Sequence, residues 1–129
     1  MDIDFNKDKL VKLRKSLHKY PELSGKEIQT AKQIVDYVSV FKPDKVYQNI
    51  GKTGVAFVFD GPKDGPTILF RCDLDALPIQ EVNQIDYKSV NDNIAHKCGH
   101  DGHMAIMSGL AEVLSQNRPK KGKAVLLFQ

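Results

Sequence analysis

The chain has 129 residues, 41% hydrophobic and 27% charged, enough for one soluble domain with its own core. Its net charge of +3 is small and its lysines are scattered without a run of five or six, which gives no reason to invoke nucleic acid. No apolar stretch approaches a membrane span, and Met1 to Asp8 lacks the basic start and apolar segment of a signal peptide. The expected location is therefore the cytoplasm, with Cys72 and Cys98 free or metal-bound rather than paired.

A first helix is expected from Lys7 to Tyr20, where Leu10, Leu13, Leu17 and Tyr20 share one face, and Pro21 ends it. Ser24 followed by Glu27 has capping-box spacing and predicts a second helix. Its apolar face is Ile28, Ala31, Ile34, Val35 and Val38, and Pro43 marks its end. Short strands are expected at Val46–Asn49 and Thr53–Asp60, followed by a turn over Gly61 to Pro66. Thr67 to Phe70 is a continuous apolar run, the pattern of a strand buried on both faces.

Pro78 to Lys97 has little periodicity and reads as a long loop, a kind that is usually functional. A third helix is expected from Asp101 or Gly102, burying Met104, Met107, Leu110, Ala111 and Leu114. Lys123 to Phe128 reads as a second doubly buried strand. The order of elements predicts an α/β fold with a mixed sheet flanked by helices. With no residues following that strand to cover it, the expectation is a piece of a longer protein whose exposed final strand invites strand addition.

The densest chemistry lies in His96-Lys97-Cys98-Gly99-His100-Asp101-Gly102-His103. Thiolate and imidazole are the donors preferred by zinc and similar ions, and Cys98-x-His100 puts both side chains on one side of an extended segment. The alternatives are a small core cysteine with histidines lining a helix start, or a closed structural zinc site. The latter would need about four ligands, drawing on Cys72 or His96. Asp101 fits a plain N-cap. A second signal is Arg71-Cys72-Asp73-Leu74-Asp75, with two carboxylates at the carboxyl end of a strand, where open α/β sheets build sites. One could ligate a metal or orient a ligand histidine, and the plain alternative is a solvated turn with Arg71 as counter-charge. Cys72 reads as a buried strand residue. His18 reads as structural, on an amphipathic helix ahead of a rigid turn that could pack near the site.

Leu17-His18-Lys19-Tyr20-Pro21-Glu22-Leu23-Ser24, Thr53-Gly54-Val55, Gly65-Pro66-Thr67-Ile68, Arg71 through Pro78 with Glu81, His96 through His103 and Leu126-Leu127-Phe128-Gln129 occur together and in order. In this the chain resembles the N-terminal part of the metal-dependent amidohydrolases that include N-acyl-amino-acid amidohydrolases, hippurate hydrolase and auxin-conjugate hydrolases. Lys97 stands where that family usually has a small residue. The resemblance implies that residues 1–129 are an incomplete portion of a three-layer, zinc-peptidase-like catalytic domain. It implies a site for two divalent ions (zinc, manganese, cobalt or nickel) with Cys98 and His100 as ligands and Asp75 behind them, orienting a ligand. It further implies hydrolysis of the amide bond of small N-acylated amino acids by metal-activated water with a glutamate base. The family's Pro-Ala-Glu-Glu motif, two later histidine ligands and a smaller dimer-forming domain have no counterpart in the chain, so the piece by itself is expected to be inactive. Two other readings are a non-catalytic metal-binding or interaction module and a dipeptidase or aminopeptidase of a related branch. The Arg71-x-Asp-x-Asp pattern and Cys98 favour the amidohydrolase branch over the latter.

Overall fold

The computed structural model describes residues 3–129. Three helices, α1 (Lys7–Lys19), α2 (Ile28–Ser39) and α3 (His100–Gln116), pack on a sheet of β1 (Lys45–Ile50), β2 (Gly54–Asp60), β3 (Thr67–Cys72) and β4 (Lys123–Phe128). The strand order is β1-β2-β4-β3. The β1–β2 and β2–β4 pairs are antiparallel and β3–β4 is parallel, the mixed α/β sheet that the order of elements predicts. The core joins Leu13 and Leu17 of α1, Ala31, Ile34 and Val38 of α2, and Met104, Met107 and Ala111 of α3. These meet alternate strand residues: Val55, Phe57 and Phe59 of β2, Leu126 and Phe128 of β4. Alternate residues point to one side of a sheet, so all three helices share one face. Among the described residues, no helix is long and apolar enough to cross a membrane.

Four expectations are corrected. Ser24 does not cap α2: the cap position is Glu27, without a side-chain cap bond, because the Glu27 carboxylate is taken by the Thr53 hydroxyl (2.8 Å). Glu22 caps the helix instead, accepting from the Gln29 amide (3.2 Å) and from the amide and hydroxyl of Thr30 (2.5 and 2.7 Å). Ile28 is exposed rather than part of the buried face.

The apolar run of β3 is not doubly buried. Ile68, Leu69 and Phe70 are about half exposed, because β3 is an edge strand whose faces the helices barely cover. The closing strand β4 is the reverse case. It is hydrogen-bonded on both sides, so it is no free edge, and only Ala124, Leu126 and Phe128 are buried while the alternate residues are half-buried.

Candidate metal centre

Between β3 and α3 the chain passes through the long loop and returns parallel to itself in β4, so the carboxyl end of β3 and the amino end of α3 lie together. This is the place where α/β sheets put their sites. α3 starts at His100, a residue earlier than expected, because Gly99 occupies its N-cap position with φ +92°. That left-handed conformation suits a residue without a Cβ. It turns the chain between Cys98 and His100.

The structure brings Asp73, Asp75 and His100 together. His100 Nδ1 donates to the Asp75 carbonyl oxygen (2.8 Å), with the Asp75 carboxylate also near it at 3.1 Å. The proton on Nδ1 leaves Nε2 as the lone-pair nitrogen. Nε2 lies 3.6 Å from Asp73, whose other oxygen accepts from Arg71 (2.8 Å). Cys98 is a free, exposed thiol. One imidazole nitrogen anchored by an acidic residue, the other open, and a thiol two residues away form a donor set that fits zinc or a similar divalent ion.

The remaining candidates stand apart. Cys72 is buried at the end of β3, and burial, with the Asp73 carboxylate adding, pushes its thiol up to about 12 against the weaker pull of Arg71. His96 is buried, and neither ring nitrogen has a hydrogen-bond partner among the described residues. Burial holds its ring down at about 4, against the upward pull of Asp101 and Asp75, and the nearby rings of His18 and His100 push the same way as burial. His103 is exposed, its ring 6.1 Å from that of His100. Among the described residues no group of three or more His, Cys, Asp or Glu is placed to hold an ion.

Asp101 is not the N-cap. It is buried in the first turn of α3, where it accepts from Arg14 Nε and His18 Nδ1 (2.9 Å each). The other nitrogen of His18 bonds Glu81 (2.8 Å). Glu81 is buried in the long loop and also accepts from Lys97 (2.8 Å), the Ser89 amide (2.7 Å) and Asn83 (3.2 Å). Burial would raise the Glu81 carboxyl, but the bonds from Lys97, Ser89 and His18 outweigh it and hold it at about 2. Neither Glu81 nor Asp101 draws notice in sequence as a partner of His18. Such pairings join residues tens of positions apart and leave no local spacing signal.

The sequence profile of Peptidase family M20/M25/M40 matches residues 69–129, the part that carries most of β3, the loop, α3 and β4. The N-acetylcysteine deacetylase of Bacillus subtilis is 39% identical over 122 residues, covering 94% of this chain and 32% of the relative. The N-acyl-L-amino acid amidohydrolase of Geobacillus stearothermophilus is 37% identical over 128 residues, covering 98% and 34%. A crystal structure from Bacillus subtilis, described as a dinuclear metal binding peptidase from the M20 family, superposes with a TM-score of 0.88 at 38% identity. That match covers 95% of this chain and 34% of the other. The chain belongs to the M20 peptidase family and spans about a third of the length of the relatives it matches.

Proposed function

We propose that the chain is the N-terminal portion of the catalytic domain of a cytoplasmic, metal-dependent amidohydrolase acting on small N-acylated amino acids, and that Cys98 and His100 are its share of a two-metal site. The observation that carries this reading is the state of His100: Nδ1 is occupied by Asp75, so Nε2 is left to bind an ion beside the free Cys98 thiol. Asp75 is the orienting residue. It fixes the tautomer and the ring plane of His100, and its charge raises the basicity of the ligand. Asp73, steadied by Arg71, faces the same ring and keeps the mouth of the site negative, which favours a cation. A bound divalent ion would supply Lewis-acid polarisation of the substrate carbonyl and a water nucleophile at neutral pH.

The general base comes from outside these residues. All four glutamates of the chain are engaged elsewhere: Glu22 caps α2, Glu27 holds Thr53, Glu81 holds His18 and Lys97, and Glu112 accepts from the Asn6 amide (3.0 Å). Loss of a positioned general base typically costs about 10²–10⁴-fold in rate. The chain by itself is therefore expected to bind metal without measurable turnover of N-acetyl amino acids.

Cobalt(II) titration reads this directly, since a thiolate-to-cobalt absorption band reports Cys98. The band should appear with the chain and vanish in the Cys98→Ser, His100→Ala variant. Equal cobalt binding by both proteins would reject the assignment of the ligands, and brisk hydrolysis by the chain alone would reject the assignment of the base.

A further inference from the structure

Behind the metal-binding pair, five charged residues from three segments converge: Arg14 and His18 of α1, Glu81 and Lys97 of the long loop, and Asp101 of α3. His18, Glu81 and Asp101 are 4%, 1% and 1% exposed, so no water competes for their bonds. The Tyr87 ring packs edge-on against His18 at 5.4 Å, with the Arg14 guanidinium 5.3 Å and the Lys15 ammonium 4.9 Å from its centroid. Each nitrogen of His18 faces a carboxylate oxygen, so each must donate, and only the doubly protonated ring can do so.

Buried ion pairs contribute little net stability compared with apolar packing of the same volume, whereas they do fix geometry. Here the geometry concerns one short turn. Glu81 is tied to Lys97, the residue before Cys98, and Asp101 is the residue after His100. One ring thus holds both ends of the segment that carries the two ligands.

We propose that His18 is a positioning residue for the metal-binding turn, a cationic clamp that draws Glu81 and Asp101 together and so sets the backbone from Lys97 to Asp101. This rests on the reading of Cys98 and His100 as ligands, and it assigns Lys97 a purpose. Its ammonium reaches back to Glu81, which no small residue at that position could do.

The test compares the full chain with its His18→Gln and Lys97→Ala variants. Ring ¹⁵N resonances of metal-free wild-type protein should show both His18 nitrogens protonated. In His18→Gln, exchange of the Lys97 and His103 amides, which donate to Ala95 and Gly99, should quicken at least about tenfold while the β2 and β4 amides keep their protection. Cobalt affinity read at the thiolate band should fall about 10–100-fold. A neutral His18 ring in the wild type overturns the clamp, and so does a folded His18→Gln with unchanged exchange and cobalt affinity. If His18→Gln does not fold, Lys97→Ala decides by the same readouts, with a smaller change in the same direction. Absence of cobalt binding in the wild type would instead overturn the ligand assignment. The clamp would then stand or fall on the ring nitrogens and amide exchange alone.

Discussion

His100 has two polar neighbours with different tasks, and single substitutions should separate them. Asp75 bonds Nδ1 and sets the tautomer, so Asp75→Ala should weaken cobalt binding by about 10–100-fold in an equilibrium titration. Asp73 stands 3.6 Å from Nε2 and is shared with Arg71, so Asp73→Asn should weaken it less. Glu81 makes a prediction in pH. Its carboxyl sits at about 2 in the folded chain against an ordinary value of 4.5. A lowered folded value means that the stability it contributes is full above 4.5 and is lost as the pH falls towards 2. Urea melts across that window should show wild-type stability falling steeply, with Glu81→Gln less stable at neutral pH and flatter in its pH response.

At the scale of elements, α2 and α3 start by different means, and both starts are open to measurement. Glu22 reaches from the preceding turn to two orphan amides of α2, so Glu22→Ala should cost about 1 kcal/mol and lower the melting temperature by a few degrees. Gly99 needs its left-handed φ of +92° at the start of α3, so Gly99→Ala strains the turn that carries both proposed ligands. The expected loss is about 1 kcal/mol in denaturant melts, with a disproportionate loss of cobalt affinity. Helix spans, the loop and the strand positions are all legible in sequence, because periodicity and turn residues are local signals. The α2 cap is not: Ser24-x-x-Glu27 has the right spacing, but the Glu22 carboxylate, six positions before the first residue of the helix, takes the amides, and Thr53 draws Glu27 away.

For the whole molecule, the notable feature is the edge strand β3, with Ile68, Leu69 and Phe70 about half exposed. Exposed apolar edges template further pairing. The chain on its own should therefore self-associate with rising concentration in sedimentation velocity, and Leu69→Lys should reduce this without altering the far-ultraviolet spectrum.

The sequence by itself determined the α/β class, the family and the cluster of metal-type donors, since motif, composition and hydrophobic period are properties of neighbouring residues. It was silent on the strand order that puts β4 in the centre and β3 at the edge, because an apolar run looks the same in either place. Likewise it held no sign that His18, Glu81 and Asp101 meet. Only the packing of α1 against α3 and the path of the loop bring those charges within hydrogen-bond distance. Burial then makes the pairing obligatory, because an unpaired charge in that interior would cost far more than the bonds that satisfy it.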